Sequence, residues 1–213
     1  MNRATSKSPM RMAVLISGTG RTLKNILDRI DAGWLNAEVV LVAASRSSAP
    51  GLQYAEKAAL PIAIVEASEF DGEQPFSQAI FQHVGRADVD LVVLAGFFRK
   101  LTIPDDFTNR VTNIHPALIP SFCGKGFYGL RVHQAALRAG VKLSGCTVHF
   151  ADNQVDHGPV ILQKTVPVLD DDTPDRLSDR VFAAEREAYP EALRLIAAGR
   201  VQVEGRRVRI SPA

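Results

Sequence analysis

Between residues 12 and 94, short apolar runs alternate with segments of helical period, and that alternation narrows the possible folds more than any other feature. Residues 12–16 form an apolar run, followed by Ser17-Gly18-Thr19-Gly20. Leu23, Ile26, Leu27 and Ile30 then recur at helical spacing, and Gly33 stands where that helix should stop. Residues 38–44 read as a second strand, 51–59 as a helix, 62–65 as a third strand and 76–84 as another helix. Leu91 to Leu94 is continuously apolar, as expected of a central parallel strand covered on both faces. The pattern predicts an α/β fold: a doubly wound, mostly parallel, Rossmann-like sheet with helices on both faces.

The second half changes character. Residues 111–120, Val-Thr-Asn-Ile-His-Pro-Ala-Leu-Ile-Pro, begin as a strand and end at Pro116, which has no N–H to extend a ladder. Side chains alternate along a strand, so Asn113 and His115 should share a face at its C-terminal end, where open α/β sheets place ligands. A glycine-rich loop follows at 121–129, then a helix at 131–139 and strands at 145–150 and 159–168 around a polar, turn-prone segment. Thr173-Pro174 suits a helix start. The helix should run to about 198, interrupted or bent near Pro190, before a hairpin at 201–210 that turns at Glu204-Gly205. Residues 1–11 lack an apolar signal core and read as a frayed tail, leaving 12–213 as a single domain.

Bulk composition excludes several classes of function. The 213 residues carry a net charge of +2, which gives no reason to expect a nucleic acid or an anionic membrane as partner. Two cysteines, Cys123 and Cys146, make neither a disulfide framework nor a zinc cage, and no stretch resembles a membrane span. A cytoplasmic protein is expected, as monomer or homodimer.

Three places hold residues suited to chemistry. Gly18, Thr19, Gly20, Arg21 and Thr22, between the first strand and first helix, suit either a phosphate cradle or simply a tight turn. They do not complete a dinucleotide fingerprint, because Leu23 occupies the third glycine position and no ribose-binding acid ends the second strand. Beyond the central strand, Gly96-Phe97-Phe98 presents two adjacent rings that cannot both face one core, so one either lines a pocket or packs at its rim. Asp156, braced by Gly158-Pro159, is either a held carboxylate or a solvated turn residue. His149 either faces the Asp156 side of the site or is a satisfied core histidine. His83 reads as surface, and His133 stays open.

Asn113, His115 and Asp156 are chemically complementary: an N–H donor, a group that is cationic near neutral pH, and a proton acceptor. No Ser or Cys stands in a nucleophile motif. The set suits direct attack of a substrate amine on a carbonyl better than a covalent acyl-enzyme.

Four signatures, in order, resemble one family. They are Ser-Gly-x-Gly at 17–20, Leu-Ala-Gly-Phe at 94–97, Asn-Ile-His-Pro at 113–116, and His-Phe-x-Asp with Asp-x-Gly-Pro across 149–159. From about residue 12 onward the chain is similar to the glycinamide ribonucleotide (GAR) formyltransferases. Methionyl-tRNA formyltransferases and formyltetrahydrofolate hydrolases are similar too but carry further domains. The resemblance implies formyl transfer from 10-formyltetrahydrofolate, as co-substrate and without a metal, to the GAR amine in purine biosynthesis. It implies a nucleotide-phosphate half at about 12–105 and a catalytic and folate half at about 106–213. Asn113, His115 and Asp156 would be the catalytic trio. Gly18, Thr19, Gly20, Arg21 and Thr22 would hold the phosphate, and Glu185 the sugar. Phe98, Arg99, Lys100 and Leu101, with the loop from Ala151 and Asp152 to Asp156, would form the pterin cleft.

Two departures from the family pattern stand out: Arg21-Thr22 in place of small polar residues, and the extended 121–129 loop carrying Lys125. They keep open a related formyltransferase acting on an amino sugar nucleotide or another small amine. A non-catalytic folate- or nucleotide-binding module is the remaining reading.

Overall fold

The computed structural model describes residues 8–212; most of the expected N-terminal tail, residues 1–7, lies outside the described residues. The chain runs β1 (Met10–Ile16), α1 (Arg21–Asp31), β2 (Ala37–Ala44), α2 (Leu52–Lys57), β3 (Ile62–Ile64), α3 (Glu73–Arg86) and β4 (Leu91–Leu94). It continues β5 (Val111–His115), α4 (Leu130–Arg138), β6 (Leu143–Phe150), β7 (Val160–Pro167), α5 (Pro174–Ala197), β8 (Val201–Glu204) and β9 (Arg207–Ile210). The first strand thus begins at Met10, two residues before the apolar run that announces it.

Seven strands form one sheet in the order β3-β2-β1-β4-β5-β6-β7, and β8 pairs with β9 as the expected hairpin. The first five are parallel; β6 runs antiparallel to β5, and β7 to β6. Strand alternation sorts the interior into two layers. Met12, Val14 and Ile16 of β1 join the core formed with α1, α2, α4 and α5, whereas Ala13 and Leu15 join Phe76, Ile80, Phe81 and Val84 of α3 on the other face. The sheet order reverses between β1 and β4, and the loops at the C-terminal ends of those strands open the crevice that holds the site. Among the described residues no helix is long and apolar enough to cross a membrane.

Of the interruption or bend expected near Pro190, the interruption is not found. Helix α5 runs unbroken from Pro174 to Ala197, through Pro190. Thr173 starts it as expected, its hydroxyl accepting the Arg176 N–H. A proline inside a helix removes the bond to the carbonyl four residues earlier, here Arg186. That carbonyl instead accepts a hydrogen bond from Asn25 Nδ2 of α1 at 2.9 Å, and Tyr189 and Pro190 lie buried against the core. Tertiary packing holds the helix together where local sequence would interrupt it.

Candidate active site

Strand β5 delivers Asn113 and His115 as its period requires, and pairing with β6 sets Asn113 opposite His149 and His115 opposite Thr147. His149 is both a core residue and a site residue. It is buried, its Nδ1–H donates to the Phe150 carbonyl at 2.8 Å, and its Nε2 accepts from Asn113 Nδ2 at 3.3 Å. Burial holds the His149 ring below the usual imidazole range, which keeps it neutral and able to accept that bond. Asn113 is thereby held by one N–H, with its second free to meet a ligand oxygen.

His115 is buried, with both ring nitrogens facing oxygens: Nε2 lies 2.9 Å from the Phe122 carbonyl and Nδ1 3.4 Å from Asp156 Oδ2. Nε2–H donates to the Phe122 carbonyl, which turns Nδ1 toward the Asp156 carboxylate. Asp156 sits in the left-handed region at φ 53°, its Oδ2 accepts the Gly124 N–H at 2.9 Å, and its Oδ1 is 4.0 Å from His149 Nε2. The brace at Gly158 is steric, since a Cβ there would run into the Phe150 carbonyl. The 121–129 loop is therefore more than a surface elaboration: it supplies the Phe122 carbonyl and the Gly124 N–H that orient His115 and Asp156.

The end of the crevice at α1 is built around Gly20, which precedes the helix at φ 72°. A Cβ there would stand 2.5 Å from Gly51 Cα, and the Gly51 N–H donates to the Gly18 carbonyl at 3.0 Å, so two backbones are packed face to face. No side chain caps α1 and no acid lies in its first turn, leaving the positive end of the helix facing the crevice. Ser17 ties the neighbouring loops together, its Oγ bonded to Ser45 Oγ at 2.7 Å and accepting the Phe98 N–H at 3.0 Å. Arg21 stacks on the ring of Phe182, 3.9 Å from its centre. Beside it, burial pushes the Glu185 carboxyl up to about 7, against the opposing pull of Arg21.

The two phenylalanines separate. Phe97 stacks on Phe76 at 6.2 Å and packs against the α3 core, whereas Phe98 is 69% exposed and borders the crevice beside Gly18. Leu101 is buried and Lys100 pairs with Glu73 at 3.1 Å. The 151–156 loop is fastened by Asn153, which accepts the Ile103 N–H at 2.7 Å and donates to its carbonyl at 3.2 Å. Asp152 pairs with His157 at 2.8 Å, and Arg206 of the β8–β9 turn bonds the His157 ring and carbonyl.

All these residues, from Gly18 to Thr22, Phe98 to Leu101, Asn113, His115, Ala151, Asp152, Asp156 and Glu185, line one cavity of about 1190 Å³. So do Ser178, Val181 and Phe182, which sequence reasoning missed. Their spacing from Glu185 on α5 repeats at helical intervals and was the available signal. His133, left open by the sequence, is a buried cavity residue whose Nδ1 has no partner among the described residues. His83 is half-buried on α3, outside the cavity. Burial pushes the Cys146 thiol up to about 12 and raises that of Cys123, so neither is an activated nucleophile.

Residues 10–193 match the family described as formyl transferase. The chain is similar to glycinamide ribonucleotide transformylase 1 from Symbiobacterium toebii, with 41% identity and a TM-score of 0.92, covering 100% of this chain and 99% of that one. It is 34% identical to the chloroplastic phosphoribosylglycinamide formyltransferase of Arabidopsis thaliana, across 93% of this chain and 70% of that protein. It is 39% identical to the trifunctional purine biosynthetic protein adenosine-3 of Gallus gallus across 91% of its own length, but spans only 19% of that larger protein.

Proposed function

The chain belongs to the formyl transferase family, and on that premise we propose that it moves the formyl group of 10-formyltetrahydrofolate to the amine of glycinamide ribonucleotide, giving formyl-GAR and tetrahydrofolate in purine biosynthesis. The observation that carries the reading is the continuity of one cavity from the Gly20 loop, past Asn113, His115 and Asp156, to the Phe98–Leu101 and 151–156 walls. A phosphorylated amine and a flat, extended formyl donor would enter from opposite ends and meet at the trio.

In this mechanism the ribonucleotide phosphate takes the N-terminus of α1 and Arg21, with Glu185 facing the sugar. The amine nitrogen attacks the formyl carbon, forming a C–N bond and a tetrahedral oxyanion. The free N–H of Asn113 donates to that oxygen, and imidazolium His115 stabilises it as a neighbouring cation, since its ring nitrogens already face Phe122 and Asp156. Asp156, through water, takes the proton from the attacking amine and returns it to the folate nitrogen as the original C–N bond breaks. No residue becomes covalently bound.

Mixing the protein with 10-formyltetrahydrofolate and GAR, and following tetrahydrofolate release, tests the proposal. Stoichiometric release with formyl-GAR formed supports it. Release with an amino sugar nucleotide but none with GAR would replace the acceptor, and binding without turnover would remove the enzymatic reading.

A further inference from the structure

Pro190 leaves the Arg186 carbonyl without its own helix's donor, and the group that answers it comes from the helix that begins at the Gly20 loop. Asn25 Nδ2 donates to Arg186 O at 2.9 Å. Asn25 is only 7% exposed, between buried Leu23 and Ile26, on a face where an apolar side chain would serve helix packing and helix propensity better. A polar residue is explained there by the carbonyl it meets, because a buried acceptor without a donor is costly.

The bond is one of a pair. Arg21 and Asn25 are one turn apart on α1, and Phe182 and Arg186 are one turn apart on α5. Arg21 stacks on Phe182 and Asn25 bonds Arg186, which makes two rungs of a ladder between the helices. Glu185, whose carboxyl feels Arg21, sits beside the first rung. The outer rung is a stacked, exposed guanidinium; the inner rung is half-buried and directional.

We propose that Asn25 is a positioning residue for the phosphate and sugar end of the cavity. By answering the carbonyl that Pro190 orphans, it fixes the Gly20 loop, through α1, against the wall of α5 that carries Phe182 and Glu185. Asn25 itself touches no substrate. Which substrate feels the loss rests on the ribonucleotide reading above; the link between Asn25 and Pro190 does not.

The test is a double-mutant cycle in the full chain with Asn25→Leu, Pro190→Ala and the two combined. Pro190→Ala returns an N–H to α5, so Arg186 gains a partner within its own helix and Asn25 becomes dispensable. In the native background Asn25→Leu should lower the urea midpoint and raise KM for GAR about three- to tenfold, the effect of one hydrogen bond. KM for the formyl donor and kcat should stay within about twofold, because the trio stands on β5 and the 151–156 loop rather than on α1 or α5. In the Pro190→Ala background the midpoint loss should fall to less than half. Equal losses in both backgrounds would overturn the link to the proline. A lowered midpoint with KM unmoved would overturn the positioning role. Asn25→Ala, which removes the donor without adding bulk, serves if Asn25→Leu does not fold. If the native protein does not turn over GAR, the function proposal fails by itself. The midpoints still judge the link, and ribose 5-phosphate affinity by calorimetry, expected to weaken by the same factor, judges the positioning.

Discussion

Asp156→Asn separates the carboxylate proposed to handle protons from everything that holds its loop in place. Asparagine matches the shape of aspartate and tolerates the left-handed backbone found there at φ 53°. Its side-chain oxygen can still accept the Gly124 N–H that Asp156 Oδ2 now takes at 2.9 Å, losing only the charge assistance, about 1 kcal/mol. For a chain of this size that is a fall in Tm of about 2–4 °C. The chemical loss is much larger. A base that moves a proton in the transition state contributes about 10²- to 10⁴-fold, or about 3–5 kcal/mol of barrier. Steady-state tetrahydrofolate release at saturating GAR and formyl donor should show kcat reduced 100-fold or more, roughly the lower bound of that range, with both KM values little changed. Thermal unfolding run beside it should show only the small shift. A variant keeping a tenth of native turnover would refute the assignment. A collapse in Tm would instead make the carboxylate a structural brace.

Three further outcomes follow from the geometry. Burial raises Glu185 from its ordinary 4.5 to about 7, so the native state holds that proton more tightly than the unfolded chain and the stability it contributes is lost as pH rises through that window. Glu185→Gln should therefore gain up to roughly 3 kcal/mol relative to the native protein between pH 4 and pH 8, read as urea midpoints; a difference independent of pH would show that Glu185 is not desolvated. Phe98→Ala, at a position 69% exposed, should change stability by less than about 0.5 kcal/mol yet raise KM for the formyl donor about 2- to 10-fold. An unchanged KM would remove Phe98 from the folate wall. Gly20→Ala meets Gly51 Cα at 2.5 Å with φ at 72° and should cost roughly 2–5 kcal/mol, seen as a Tm loss of about 4 °C or more; a smaller loss would mean that the two loops can separate.

What the sequence discloses about this fold is what can be written within a few residues. The period-two spacing of Asn113 and His115 puts both on one face of β5, and periodicity together with start and stop signals locates the five α-helices of the described residues to within a few residues. Relations across the sheet are not local. Asn113 meets His149 only because β6 returns antiparallel in one register, and nothing near either residue specifies that register. The same holds for Arg21. Alone it reads as a phosphate ligand or a solvent residue, whereas in the structure its resting partner is the ring of Phe182, on a helix that closes the far side of the cavity.

Pro190 shows how such a local rule gives way. The rule that proline interrupts a helix counts a missing N–H and a carbonyl left without a donor, and it assumes that no donor arrives from elsewhere. Here one does, from a residue 161 positions away, and the helix continues. The exception costs α1 a good helix former at Asn25 and makes the two helices interdependent. Helices tied in this way are those whose ends and faces line the Gly20 end of the cavity. A chain that needed only stability at this contact would do as well with leucine at 25 and alanine at 190. The polar pairing instead fixes one register of α1 on α5, as a directional bond does and an apolar contact does not.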